Sequence, residues 1–328
     1  MEYWYIIIGW LLSIITATGN GFVIFLIAKT RRLHSSANLY ALSLAVADFG
    51  VGIAVFPSGY FCYHPTACNM RLYMAFFWFI LHSSVTNLCT LTWDRYIAIV
   101  HPLKYNTSMT ERRPGMVILI AWLIPFAISL SLFVGMYATN SRTAWKVLRL
   151  TGVSAFDIVL CVLLFYAVVR ILVAVREQSH QVCEIEQQLQ FNVSSTEVVT
   201  SHRRRTPNTA RLIIALVVFF LGCYVIVNIS VLCETFSCEV SGEKAGHVVT
   251  QCLLVLNSAV NPMVYALLKR DIKREISLFI SHMSILGRPC LKPTVIAQPG
   301  RRAEPSQLNS VGEPRPKQTG STESESCC

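Results

Sequence analysis

At 328 residues the chain is long enough for two soluble domains, yet 53% of it is hydrophobic and only 14% charged, and a mean hydropathy of +0.50 gives more apolar surface than a water-soluble core can hide. The formal net charge of +10 would suit a nucleic-acid binder, but Lys and Arg stand in short clusters between apolar runs, so no nucleic acid is expected and the clusters read as loop anchors at a membrane. Twelve Cys would mark a disulfide scaffold only in a far shorter chain, and Cys89, Cys161, Cys223 and Cys252 fall inside apolar runs as small core residues.

A hydrocarbon layer about 30 Å thick is crossed by roughly 20 apolar residues. Such runs occur near 5–28, 38–61, 72–97, 116–138, 151–175, 209–233 and 246–267, which predicts an all-α membrane protein with a bundle of seven transmembrane helices. The first run is too long for a cleaved leader and no basic region precedes it, so it is expected to act as a signal anchor. The second contains Asp48, and the fifth, the weakest of the set, contains Asp157. A carboxylate in hydrocarbon is costly and needs a reason.

Lys29, Arg31 and Arg32, then Lys104, Arg112 and Arg113, then Arg176 and Arg203 to Arg205, then Lys269, Arg270, Lys273 and Arg274 all fall on one side of the bundle. That side is assigned to the cytoplasm, with the N-terminus outside and the C-terminus inside the plasma membrane. The longest connection, about 177–208, is polar and rich in Gln, Ser and Thr. After the last run, 268–280 places Leu268, Ile272, Ile276 and Phe279 on one helical face and basic residues on the other, predicting an amphipathic eighth helix on the lipid of the inner leaflet. The remainder, 281–328, is rich in Pro, Ser, Gly and charge and is expected to be a disordered cytoplasmic tail.

Within this frame the first run has Gly19-Asn20, the second Leu44-Ala45-Val46-Ala47-Asp48, and the third ends Asp94-Arg95-Tyr96-Ile97-Ala98-Ile99-Val100-His101-Pro102-Leu103. The fourth holds Trp122, the fifth Tyr166 and the seventh Asn261-Pro262-Met263-Val264-Tyr265. Ordered and placed in this way, over about 5–280, these residues make the chain resemble the rhodopsin-like, class A, G-protein-coupled receptors. The resemblance implies a non-enzymatic switch that carries the binding of an extracellular ligand to a heterotrimeric G protein, with receptor kinases and arrestin as further partners. In that reading Asp94 holds Arg95 at rest and Tyr96 completes the triplet; an Arg merely snorkelling to the interface is the alternative. Tyr166 and Tyr265 would swing inward on activation and join Arg95 through water, and Pro262 would loosen the seventh helix. Asp48, Ser84, Asn257, Ser258 and Asn261 match the family's positions for a buried sodium ion; a neutral hydrogen-bonded cluster is the other reading.

The resemblance also implies a ligand pocket lined by Phe77, Trp78, Leu81, Leu150, Ser154, Tyr224, Val227, Asn228, Gln251 and Val255. Phe77 stands where amine receptors of the family carry an ammonium-pairing Asp, which disfavours an amine ligand there. Val255 stands where opsins carry the retinal Lys, which excludes covalent light sensing. Apolar-bodied ligands such as lipids or small peptides stay open, and Asp157 either contacts a ligand or bonds to a neighbouring helix.

The departures from the family pattern are several. Tyr224 and Ile226 replace the Trp and Pro of the sixth helix, Ile158 replaces the Pro of the fifth, and Thr206 replaces the Glu that locks Arg95 in some members. Met70 takes the place of the Cys that staples the third helix to the second outer loop. Two close outer pairs, Cys62 with Cys68 and Cys233 with Cys238, could each form a small-loop disulfide, the second slightly favoured. The missing staple, the short second outer loop and Ile158 resemble the melanocortin, cannabinoid and lysophospholipid branch, and 103–110 is similar to melanocortin receptors, but Ser58, Met70 and Met74 replace the acidic ligand contacts of melanocortin receptors, so that ligand assignment fails.

Asn106, Asn192 and Asn228 open Asn-x-Ser/Thr triplets on the cytoplasmic side or in the bilayer, where no glycan is added. Cys290 is a candidate palmitoylation site, Cys327 and Cys328 are weaker ones, and Ser321, Thr322, Ser324 and Ser326 lie among acidic residues in a pattern that suits phosphorylation. Competing functions are a transporter, which would need a continuous polar path, and a receptor-like protein with impaired signalling, given the altered sixth helix. A hydrolase lacks its His-Glu-x-x-His or Gly-x-Ser-x-Gly pattern.

Overall fold

The computed structural model describes residues 3–63, 68–108, 112–138, 141–192, 207–236 and 243–286. One compact unit takes in Met1–Ile285 and a second Leu286–Cys328; of the second only Leu286 is described. Every described element is helical. Backbone N–H and C=O groups in hydrocarbon must be satisfied within the segment, and a helix does this with no partner.

Helix α1 is Tyr3–Lys29. Helix α2 starts as Ser36–Gly50, widens into a π-helical turn at Val51–Val55 and continues as Phe56–Tyr63. Helix α3 is Met70–Val100, its start capped by the Asn69 side chain, which accepts from the N–H groups of Arg71 and Leu72. A short helix Pro102–Ser108 leads to α4, Arg112–Ala138. Next come a short helix Arg142–Arg149, a second π-helical turn Leu150–Ala155, and α5, Phe156–Asn192. Helices α6, Pro207–Phe236, and α7, Glu243–Leu268, complete the bundle, and α8 is Arg270–Leu286.

Six stretches among the described residues are long and apolar enough to cross a membrane, and a seventh, Val249–Ala266, is followed by an 81° bend into α8. The helices differ from the predicted spans at their ends. Helix α5 runs through 177–192, which read as a polar loop, because Gln and Glu are good helix formers once a membrane-anchored helix has nucleated the turn. The connection between α4 and α5 is helical over Arg142–Arg149, and α8 extends past 280 into residues read as tail.

Neighbours close the ring α1–α2–α3–α5–α6–α7–α1, with α4 against α3. The pattern is inverted relative to a soluble protein. Asn20, Asp48, Asn87, Ser84 and Asn257 are buried, whereas Leu119, Leu123, Phe126, Val162 and Phe165 are exposed to the space that lipid fills. The apolar face of α8 is turned to the bundle: Ile272 is buried, and the Phe279 ring stands edge-on to Phe22 at 5.6 Å and Phe25 at 6.4 Å.

A close approach between two helix backbones uses a glycine. A Cβ at Gly52, in the wide turn of α2, would lie 2.7 Å from the backbone N of Ala17 on α1, so α1 would have to shift to admit it. A Cβ at Gly222 on α6 meets nothing within 4 Å. Gly52→Ala is therefore expected to cost about 1–3 kcal/mol and lower the unfolding midpoint of the purified protein. Gly222→Ala, which only improves helix propensity by up to about 1 kcal/mol, should leave it unchanged or raise it. Equal midpoints for the two variants would refute the close α1–α2 contact.

Candidate functional site

The first cluster lies where α2, α3 and α7 meet. Asp48 is fully buried; its Oδ1 accepts from Ser84 Oγ at 2.6 Å and its Oδ2 from Asn261 Nδ2 at 2.6 Å, and Ser258 presents its hydroxyl to the same carboxylate. Each donor sits on an inward-facing turn because its own helix has an apolar face toward lipid and a polar stripe toward the centre. Asn257 is buried with neither amide atom hydrogen bonded among the described residues. The seventh helix is tied to the first at the same level: Asn20 Nδ2 donates to Thr16 O at 2.9 Å and to Ser258 O at 3.1 Å, and a Cβ at Gly19 would stand 3.1 Å from Pro262 Cγ. On the other flank Ser43 Oγ donates to Asn87 Oδ1 at 2.6 Å and receives Trp122 Nε1 at 3.0 Å, joining α2, α3 and α4.

At the inner end of α3, Arg95 Nε lies 3.6 Å from Asp94 Oδ2, too far for a hydrogen bond. Asp94 Oδ1 instead accepts from Tyr105 Oη at 3.2 Å, on the short helix that follows α3. Burial and the Asp94 carboxylate push the Tyr105 phenol above its ordinary value. Tyr96 is buried on the other face of α3, 6.3 Å between ring centroids from Tyr166. The two tyrosines expected to act together differ in burial: Tyr166, its ring against Tyr96, is 47% exposed, while Tyr265 is 4% exposed and lines a cavity of about 180 Å³ with Arg95, Thr92, Asn38, Lys269 and Asp271.

Lys269, which read only as one of a basic cluster, is a fastener. From the bend between α7 and α8 its Nζ donates to Ala37 O at 2.9 Å and to Asn38 Oδ1 at 2.7 Å, at the start of α2, and stands 6.0 Å from the Tyr265 ring centroid. Burial, and after it Arg95, push the amine down to about 7.

Of the expected pocket residues, Phe77, Leu81, Ser154, Tyr224, Val227, Asn228 and Val255 are buried, and Trp78, Leu150 and Gln251 are partly so. Phe77 meets Trp78 edge-on at 5.3 Å, and Tyr224 stacks on Phe220 at 4.3 Å. Asn228 spends its amide on the backbone of its own helix, at Tyr224 O, 3.0 Å. Cys62 and Cys68 form a disulfide. Cys238, and with it the favoured pairing to Cys233, lies outside the described residues, as do Thr206, Cys290, Cys327, Cys328 and the tail Ser and Thr residues.

A family model described as 7 transmembrane receptor (rhodopsin family) matches residues 19–265, three quarters of the chain. The chain belongs to that family. It is therefore a multi-pass membrane receptor that couples to G proteins, not an enzyme. It is similar, at 26% identity over 84% of this chain and 85% of the relative, to trace amine-associated receptor 8b of Rattus norvegicus. It is also similar, at 26% identity over 82% of each chain, to trace amine-associated receptor 9 of Homo sapiens, and, at 27% over 84% of this chain and 85% of the relative, to trace amine-associated receptor 8c of Mus musculus.

The Lys269 fastener has a pH signature. Its folded-state value, about 7, lies below the ordinary 10.5, so between those values the folded receptor binds fewer protons than the unfolded chain and stability rises with pH. Below about 7 both states are protonated and the cost is constant. The unfolding midpoint should therefore climb between about pH 7 and 10, and the climb should be lost in Lys269→Met. An unchanged slope in that variant would show that the amine is not the titrating group.

Proposed function

We propose that an extracellular ligand with an apolar body, seated among Phe77, Trp78, Leu81, Ser154, Tyr224, Asn228 and Gln251, biases the packing of α2, α3 and α7 around Asp48 and so releases Arg95 to the G protein. The names of the relatives attach amines to those receptors; here Phe77, buried against Trp78, puts an aromatic ring at the point on α3 where family amine receptors carry their carboxylate. The basic clusters support an N-terminus outside the cell and a cytoplasmic C-terminus. Its basic residues and its 81° turn from α7 support a place for α8 on the inner leaflet. Receptor kinases and arrestin would act on the Ser and Thr of the tail.

The observation that carries the switch is the bridging of Asp48 to Ser84 on α3 and Asn261 on α7. Arg95 lies eleven residues beyond Ser84 on the same helix, about 16 Å along its axis, so a change in the Asp48 cluster that turns or slides α3 moves the guanidinium. The same donor set supports a sodium ion in the resting state: Asp48 carries the charge, Ser84, Ser258 and Asn261 surround it, and Asn257 offers a buried amide oxygen that no protein donor uses.

Nucleotide exchange on a heterotrimeric G protein, measured in membranes from cells that express the receptor, tests the switch. Arg95→Ala is expected to reduce receptor-dependent exchange to the level of membranes without receptor. Asp94→Asn should raise basal exchange about two- to fivefold, the size expected when an ion pair worth about 0.5–1 kcal/mol is lost. A response from Arg95→Ala equal to the wild type would sink the mechanism. Replacing choline by sodium should raise the unfolding midpoint of the ligand-free receptor, and Asp48→Asn should abolish that rise; a sodium effect that survives the substitution would place the ion elsewhere.

A further inference from the structure

A second buried carboxylate has no part in either cluster. Asp157, near the start of α5, is 2% exposed and His82 of α3 is fully buried. Asp157 Oδ1 lies 3.5 Å from His82 Nε2, yet they do not form a hydrogen bond. Among the described residues Asp157 Oδ1, both ring nitrogens of His82 and Ser154 Oγ are buried without a hydrogen-bond partner. Ser154, in the wide turn Leu150–Ala155, and Asp157, at the start of α5, are three residues apart and both buried.

The surroundings are aromatic. Trp78 stacks on the His82 imidazole at 5.5 Å, Phe156 meets it edge-on at 5.1 Å, and Tyr224 of α6 lies within electrostatic reach of Asp157. His82 stands beside Asp157 at 3.5 Å, and burial among apolar and aromatic side chains leaves its imidazole neutral, so it does not compensate the carboxylate's charge. A receptor that leaves four buried polar atoms unmet at one point pays in stability for something a partner later supplies. The chemistry of that partner follows from the inventory. A carboxylate oxygen, a hydroxyl and the lone-pair nitrogen of a neutral imidazole are three acceptors, and a primary ammonium is three donors and one positive charge. Aromatic faces around it add attraction for a cation.

We propose that Asp157, Ser154 and His82 form a cation site that takes the ammonium group of a primary amine, whose apolar body lies toward Phe77 and Trp78. His82 is five residues beyond Phe77, about 7.5 Å along α3, so the carboxylate missing beside Phe77 is replaced by one that lies deeper and on α5. The site rests on the pocket proposed above and adds the ligand's charged group to it.

The test is thermal unfolding of the purified full-length receptor with a panel of primary arylalkyl and alkyl amines, 2-phenylethylamine among them, against their neutral alcohols, such as 2-phenylethanol. Amines of the panel are expected to raise the wild-type midpoint by several degrees and the alcohols to leave it in place. Asp157→Asn removes a buried charge and should fold with a midpoint at or above that of the ligand-free wild type while losing the amine shift. Ser154→Ala should weaken the amine about tenfold, the loss of one charge-assisted hydrogen bond. No shift with any amine of the panel, an equal shift with the alcohols, or a full shift in Asp157→Asn would overturn the proposal. Because the readout needs no G protein, failure of the Arg95 switch would appear only in the exchange assay and failure of the cation site only here.

Discussion

A carboxylate enclosed in a bundle whose outer surface meets hydrocarbon has no water to fall back on, and much of this receptor is arranged around that fact. Asp48 can be buried because Ser84 and Asn261 bring donors from two other helices to its two oxygens. Those helices must then approach α2 closely. Gly52 in the wide turn of α2 lets α1 come in, and Asn20 fastens α1 to the backbone of α7 beside the cluster. Small residues and polar side chains supply the cohesion that a hydrophobic effect cannot supply between helices already surrounded by lipid. An arrangement held by a few directional bonds around one charge has a limited number of good geometries, and that is what a switch requires.

The sequence makes the frame legible because lipid imposes so strong a rule. Seven apolar runs in 328 residues leave few folds open, and motif residues such as Asp48, Arg95 and Asn261 stand at fixed depths that the helix rise converts into neighbours. Other features could not be read in this way. Periodicity assigns residues to faces only while the turn stays at 3.6 residues, so the π-helical turns at Val51–Val55 and Leu150–Ala155, each with an extra residue, were invisible. The roles of Tyr105 and Lys269 depend on which helix end lies across from them, a tertiary matter: one holds Asp94 and the other the start of α2. Lys269 had a faint signal, as a cation next to the bend that ends α7, but basic residues at the membrane edge are common and usually face water. Asp157 was conspicuous from the outset. Its partner was not, because a His in an apolar run reads as an ordinary core residue.

The absence of two prolines changes the outer half of the bundle. Helix α6 is continuous over Pro207–Phe236 past Ile226, and α5 over Phe156–Asn192 past Ile158. Between them lies an apolar groove lined by Ile158, Val162, Leu221, Val225 and Ile229. A proline would have freed a carbonyl in each helix and allowed bending at that level. Here the departures from regular α-helix lie instead in the π-helical turns of α2 and before α5, and Pro262 interrupts the hydrogen bonding of α7.

Helix α3 connects the parts. Phe77, His82, Ser84, Asp94 and Arg95 occur along one unbroken helix of 31 residues, roughly 46 Å long at 1.5 Å per residue. At the proposed cation site, a ligand that meets the unfilled polar atoms of His82, Ser154 and Asp157 would draw α3 and α5 together at that level. Two residues farther along, Ser84 is hydrogen bonded to Asp48, and Asp48 to Asn261 of α7, so the same bonds would carry that motion to α7. At the inner end Arg95 shares its cavity with Tyr265 of α7 and with the lysine that fastens α2. One rigid element thus touches three polar clusters, each satisfied differently: the outer one lacks a partner, the middle one is closed by Ser84 and Asn261, and the inner one is held by a 3.6 Å ion pair and a tyrosine hydroxyl. Completing the first would bear on the helix that the other two hold in place, and the loosest of those holds is the 3.6 Å pair of Asp94 and Arg95.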